Sequence, residues 1–173
     1  WAGSDDGLVH ISKDNGDSWN EITPSVLPEW AMVTMIEPSN HFSGTAYLAA
    51  TKYKLGDNSP MLYKTEDYGD TWRLINGNLP EDDFTRCVRE DPDRPKMIYV
   101  GTETKLYVSF DDGNVWSNLG GKHRIGKSSL PIVPIYDIQI KNDDLIVATH
   151  GRSFWILDDL SQLRQMPEVE MHH

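Results

Sequence analysis

Three short stretches gather hydroxyls, carboxylates, a glycine and a tryptophan at fixed spacing: SKDNGDSW at residues 12–19, TEDYGDTW at 65–72 and SFDDGNVW at 109–116. Their oxygens are numerous enough to suggest a cation loop or an active-site acid. A helix-flanked calcium loop needs a bidentate Glu at a set distance, and none follows; the third copy also carries Asn114 where the others have Asp17 and Asp70. A turn uses the same residues without a ligand. Asp14, Asp67 and Asp111 can accept hydrogen bonds from backbone N–H groups of their own turn. Gly16, Gly69 and Gly113 supply positive φ. Ser12, Thr65 and Ser109 can cross-bond a hairpin, and Trp19, Trp72 and Trp116 can anchor it in a core. The copies lie 53 and 44 residues apart, which points to a repeat architecture and a structural turn rather than one catalytic loop. No metal and no cofactor is expected.

The elements that position these turns are short β-rich runs bounded by Gly, Pro, Asn or Asp. Fourteen strands are expected, including LVHIS, MVTMI, TAYLAAT, MLYKT, TRCVRE, MIYVGT, LYVSF, IYDIQI, LIVATH and FWIL; only DDLSQLRQ suits a short helix. The order repeats as strand, polar turn, strand, loop, strand, Asp-containing turn, strand. One full unit spans about residues 32–75 and a second about 84–118. Leu27-Pro28, Leu79-Pro80 and Leu130-Pro131 precede the units. A last segment aligns at an offset of 47, placing Trp155 on Val108 and Asp158 on Asp111, but Ile156 and Leu160 occupy its hydroxyl and glycine positions. It is a decayed copy. Four antiparallel strands per repeat of this length is the signature of a β-propeller blade. The expected fold is all-β: a partial β-propeller of about three to four four-stranded blades over residues 1–165, with breaks near 27, 79 and 130 and the first and last blades incomplete. Residues 166–173 form a tail, continuing into a longer parent or ending in a tag.

Ligand sites of such a fold lie on the face bearing the loops between blades and between each blade's second and third strands. Those loops are LPEW, TKYKLGDNS, LPEDDF, GGKHRIGKSS and THGRSF. Glu29, Trp30, Glu81, Asp82, Asp83, His150 and Arg152 are the candidate ligand contacts. Trp30 could stack on a sugar ring, and Gly151 beside His150 and Arg152 permits close backbone approach. The stretch at 120–129 gathers Lys122, His123, Arg124 and Lys127 in an otherwise acidic chain, a candidate contact for an anionic partner. No Ser–His–Asp order, Cys–His pair, phosphate loop or metal-spaced His/Cys cluster appears.

The three stretches resemble the Asp-box, or bacterial neuraminidase repeat, S/T-x-D-x-G-x-T/S-W; the third departs from it at Val115. With GSDDGLVHISKDNGDSWNEITP, LYVSFDDGNVW and VATHGRSFWILDDL as context, residues 1–165 look like bacterial BNR-repeat glycosyl hydrolases or sortilin-like propellers. The resemblance implies that the box is a structural turn remote from any active site. It also implies an exported protein, extracellular or periplasmic. Sialidases, xyloglucanases and sortilin receptors share the box, so it does not choose among activities. A sialidase needs three converging arginines, and its usual Arg-Ile-Pro segment is absent. A xyloglucanase-like hydrolase needs two carboxylates across a cleft.

A formal net charge of −11 argues against nucleic acid or an anionic membrane as partner. No apolar run reaches the roughly 18 residues of a membrane span. The lone Cys87 excludes an internal disulfide. The expected function is a non-catalytic binding or scaffold module of a larger protein, taking a glycan or peptide ligand. The alternative is part of a glycoside hydrolase whose cleft needs residues outside this chain. Open strand edges at both ends predict partnership with the remaining blades of a longer parent, or with a second copy, and self-association of the isolated chain.

Overall fold

A computed structural model describes residues 1–120 and 130–166. The basic residues Lys122, His123, Arg124 and Lys127, and the tail from residue 167, lie outside the described residues. The architecture is all-β, with four antiparallel sheets in chain order. The first has three strands, β1 (Ala2–Gly3), β2 (Val9–Ile11) and β3 (Asn20–Glu21). The second has four, β4 (Met32–Pro38), β5 (Ala46–Lys52), β6 (Asp57–Thr65) and β7 (Arg73–Leu74). The third also has four, β8 (Thr85–Glu90), β9 (Ile98–Thr102), β10 (Leu106–Ser109) and β11 (Ser117–Asn118). The fourth has three, β12 (Ile135–Lys141), β13 (Asp144–Thr149) and β14 (Phe154–Leu157), followed by the one-turn helix α1 (Ser161–Arg164). Each sheet is a simple meander, and each packs on the next: β1 against β4, β4 and β5 against β8, β8 and β9 against β12.

This stacking explains why the middle strands read as apolar runs. In β5, Tyr47 and Ala49 face the third sheet while Leu48 and Ala50 face the first, so all four are fully buried. Burial on both faces removes the alternation that one solvated face would impose. The outer sheets differ. Along β14, Phe154 and Ile156 are exposed, with Trp155 and Leu157 half-buried against the core.

The repeated turns lie ahead of the last strand in each of the first three sheets. In the second copy Asp67 Oδ1 accepts from Thr71 N at 2.8 Å and from Thr65 Oγ1 at 2.8 Å, while Thr65 Oγ1 accepts from Gly69 N at 2.9 Å. The first copy repeats this with Asp14, Ser18, Ser12 and Gly16 at 2.9, 2.8 and 2.7 Å. The third does so with Asp111, Val115, Ser109 and Gly113 at 2.9, 2.8 and 2.9 Å. The first hydroxyl therefore bonds within the turn instead of across the hairpin. The side-chain hydroxyl of Ser18 and its backbone N–H hold the Asp14 carboxyl down at about 2, and Thr71 lowers Asp67 in the same way.

A second set of contacts joins the second and third turns to the preceding sheet. Trp72 Nε1 donates to the Ile22 carbonyl at 2.8 Å, and Trp116 Nε1 to the Ile75 carbonyl at 2.9 Å. Trp116 is 3% exposed and Trp72 half-buried, but Trp19 is 49% exposed, which corrects the expectation that it anchors a core. Trp72 and Trp116 pack across to the preceding sheet, and among the described residues nothing stands before Trp19. The residue ahead of each box glycine is left-handed, at φ 59° in Asn15, 62° in Tyr68 and 65° in Asp112. Two of these also reach backwards: Lys13 lies 4.4 Å over the Tyr68 ring, and Asp112 Oδ2 meets Lys64 Nζ and Arg73 Nη2, each at 2.6 Å. The decayed copy keeps the left-handed turn at Asp159, φ 61°, but runs on into α1, which buries Leu160 and packs Leu163 against the third sheet's core.

The first strands of successive sheets are tied together by Arg89 on β8. Its guanidinium bonds Glu37 on β4 at 2.5 Å, Asp137 on β12 at 3.1 Å and the Ile138 carbonyl at 2.8 Å. Burial raises the Glu37 carboxyl above its usual range in spite of that arginine.

Candidate functional site

The site grows from an irregularity shared by the first strands. Pairing with the second strand slips between Val33 and Met35 in β4, between Thr85 and Cys87 in β8, and between Ile135 and Asp137 in β12. The residues skipped are Thr34, Arg86 and Tyr136. A β-bulge re-aims the side chain it displaces, and here two consecutive sheets aim a cation and an aromatic ring at each other: the Arg86 guanidinium lies 4.3 Å from the Tyr136 ring centre.

Around this pair an aromatic assembly spans three sheets. Tyr53 leaves β5 in a single 3-10 turn closed by Gly56 at φ 84°. Its ring stacks on Phe84, centroids 4.7 Å apart and planes 5° apart. Arg86 lies 4.9 Å from the Phe84 ring centre and 5.6 Å from that of Tyr53. Glu103 Oε2 fixes it, accepting from Nε at 2.7 Å and lying 2.5 Å from Nη2. Cation–π contacts of this kind contribute about 0.5–2 kcal/mol each as they become desolvated. Beyond Tyr136, His150 follows β13 with its ring 5.1 Å away. Its backbone N–H donates to the Pro134 carbonyl at 3.0 Å. Phe84 is buried, Tyr53 and Arg86 half-buried, and Tyr136 and His150 exposed, so the assembly has a rooted base and an open rim.

Beside Tyr53 a recess of about 420 Å³ is lined by Asp5, Trp30, Met32 and residues 51–55. Trp30 stands at its edge, 65% exposed and left-handed at φ 65°. A solvated indole held in an uncommon backbone conformation is an observation that invites a functional reading.

The residues singled out in the sequence divide into three groups. Trp30 and His150 border the assembly and its recess. Glu29, Glu81, Asp82 and Arg152 are exposed on the connecting loops. Asp83 differs from its expected role as a ligand contact: it is 3% exposed and accepts from Thr102 Oγ1 at 2.8 Å, Thr104 Oγ1 at 2.8 Å and Thr104 N at 3.0 Å. These donors saturate it and lock the loop between β9 and β10. Tyr53, Arg86 and Tyr136 do not stand out in the sequence, because their convergence depends on a 3-10 turn at Tyr53 and on bulges at Arg86 and Tyr136 that leave no mark in residue types. Among the described residues no group of three or more His, Cys, Asp or Glu could hold a metal ion, and no helix is long and apolar enough to cross a membrane.

The chain is similar in structure to GH74 enzymes and to YCF48. A GH74 xyloglucanase from Xanthomonas campestris matches 92% of this chain with a TM-score of 0.68 and 18% identity, over 25% of its own length. A GH74 enzyme from Niastella koreensis matches 91% with a TM-score of 0.64 and 14% identity, over 26% of its length. YCF48 from Cyanidioschyzon merolae matches 87% with a TM-score of 0.62 and 16% identity, over 46% of its length. YCF48 is also similar in a structure bound to D1 peptide, at a TM-score of 0.58 and 11% identity, with 92% of this chain covered. The chain thus spans a quarter to a half of these structures. No family model matches the sequence, and no curated protein sequence does. At such identities the likeness shows the fold alone.

Proposed function

We propose that this chain is a segment of an Asp-box β-propeller, with residues 1–165 as consecutive blades, acting as a non-catalytic binding module of an exported, extracytoplasmic protein. The observation that carries the reading is the Arg86 assembly. Stacked rings, a fixed guanidinium and an exposed rim of Tyr136, His150 and Trp30 form a surface suited to a flat, partly polar ligand, either a glycan ring or an extended peptide. Glu29, Asp82 and Arg152 supply polar contacts around it. Asp83 serves as second support, holding the loop that carries Glu103.

Likeness to xyloglucanases favours one alternative, a portion of a glycoside hydrolase cleft whose opposed carboxylate comes from outside this chain. Both are tested by titrating the protein, by calorimetry, with xyloglucan oligosaccharides and with a library of short peptides. Binding that weakens at least about tenfold in Tyr136→Ala and Trp30→Ala, roughly 1.4 kcal/mol or more, supports the module. Turnover of the oligosaccharide by this chain alone would refute the non-catalytic reading, and absence of binding to either class would refute the site.

A further inference from the structure

Past their bulges, β4, β8 and β12 run on to a second cleft at their other ends. It holds about 480 Å³ and is lined chiefly by Glu37, Ser39, Asn40, Arg89, Glu90 and Gln139. Arg89 follows Arg86 by three residues, roughly 10 Å along an extended strand. No residue of the aromatic assembly lines this cleft.

Its charged and polar groups are set in place by the protein itself. The Arg89 guanidinium carries five N–H bonds. Ile138, Glu37 and Asp137 take one from each of its nitrogens, which leaves one on each terminal nitrogen. Glu37 brings a carboxylate, its side chain 10% exposed, with more lone pairs than the bond to Arg89 uses. Glu90 is a wall: one oxygen accepts from the Tyr47 hydroxyl at 3.2 Å and the other from the Asn40 N–H at 2.9 Å. Ser39 Oγ accepts from the N–H groups of His41 at 3.1 Å and Phe42 at 3.2 Å, so its own hydrogen remains to be donated. Gln139 Nε2 donates to Asp137 Oδ2 at 3.2 Å, and Gln139 and Asn40 are both exposed, placing their carboxamides at the rim.

This lining rejects most ligand classes. One guanidinium stands among three carboxylates, Glu37, Glu90 and Asp137, so the local field repels an anion. Among the described residues no group of His, Cys, Asp or Glu is arranged to hold a metal ion. No aromatic ring lines the cleft, and its apolar side chains are Pro38, Pro92 and Ile140, too few to bind an apolar ligand. A neutral group that donates and accepts at adjacent atoms is what the lining suits. Hydroxyls on neighbouring carbons meet that need, since each can take a guanidinium N–H and give its own hydrogen to a carboxylate.

We propose that this cleft is a second binding site, which takes the vicinal hydroxyls of a small neutral polyol. Arg89 and Ser39 donate to the diol, Glu37 accepts from it, and the carboxamides of Asn40 and Gln139 close over it. The site lies at the opposite end of the first strands from the aromatic rim and does not depend on what that rim binds.

Proton–nitrogen spectra of the whole chain read the Arg89 Nε–H and the Asn40 and Gln139 carboxamides directly. Methyl glucoside and the open-chain sorbitol are titrated separately, with per-O-methylated methyl glucoside as the control that keeps the ring and loses every hydroxyl. Saturable shifts of these signals are expected at millimolar affinity, weakened about fivefold or more in the Asn40→Ala, Gln139→Ala double variant, whose changes lie at the exposed rim. Whichever polyol binds more tightly tells a ring from an open chain as the source of the diol. Absence of saturable shifts with both polyols would overturn the proposal, as would equal shifts with the methylated control. A sugar that moves the Arg86 Nε–H signal and leaves that of Arg89 in place sits at the other end, and also overturns it.

Discussion

Substituting alanine for two equivalent glycines isolates the cost of the sheet-to-sheet joint. Gly16 and Gly69 have nearly the same backbone, φ 99° and 93°, and the same turn hydrogen bonds. Alanine in that region is strained by about 1–3 kcal/mol wherever it is placed. At Gly16 nothing more is added. At Gly69 the new methyl would lie 2.4 Å from Ile22 Cδ1 and 2.8 Å from its Cβ; the tip can swing away, but the Cβ can move only with its backbone. Overpacking of that kind costs about 1–3 kcal/mol. Gly69→Ala should therefore destabilise by that much more than Gly16→Ala, lowering the melting temperature by a further ~2–12 °C at about 2–4 °C per kcal/mol. Circular-dichroism melts of both variants measure the difference. Adding Ile22→Ala closes a double-mutant cycle, in which the excess cost at Gly69 should largely vanish. Equal losses in the two single variants, or an excess that survives Ile22→Ala, would refute the joint as the source.

Asp112→Ala strips Lys64, whose side chain is 2% exposed, of its buried partner and leaves only the exposed Glu66, so a loss of about 3 kcal/mol is expected in urea melts, the lower end of the cost of breaking a buried pair. Asp14 and Asp67 have folded values below the unfolded 3.8, so their contribution is present above the unfolded value and lost as pH falls through the folded ones, about 2 for Asp14; the melting temperature of the Asp14→Asn, Asp67→Asn double variant should fall less steeply on acidification below about pH 4 than that of the wild type. Parallel curves would count against the turn carboxylates. Burial pushes the Cys87 thiol up to about 12, so a thiol reagent at pH 8 should label it only after unfolding, and rapid labelling of the native protein would contradict its packing beneath Ile135.

The strands were legible because their chemistry is local. Alternating or wholly apolar runs between Gly, Pro and Asp punctuation mark them, and the box carries its own hydrogen-bond partners within eight residues. What a box touches outside itself was not legible. The same letter, tryptophan, is 3% exposed at 116 and 49% exposed at 19, because its environment belongs to a sheet some forty residues away. Asp83 reads as a loop acid among acids, yet the threonines that saturate it lie about twenty residues further on. Trp30 and His150 stand out by residue type, loop position and immediate neighbours. Arg86 and Tyr136 do not, since a bulge shifts a side chain sideways without changing its residue type.

Arg89 changes how the loss of one sheet is felt by the rest. In a stack where each repeat touches only its neighbours, unfolding can start at an end and stop at any joint. One guanidinium on the third sheet here grips carboxylates from the second and the fourth at once, along strands that lie side by side. Peeling away β12 frees Asp137 and leaves Arg89 with Glu37 as its one remaining carboxylate, so damage at the last sheet weakens the hold on the second. Three of the four sheets are thereby fastened into a unit that comes apart together, and the first sheet, outside that clasp, is the one free to open on its own.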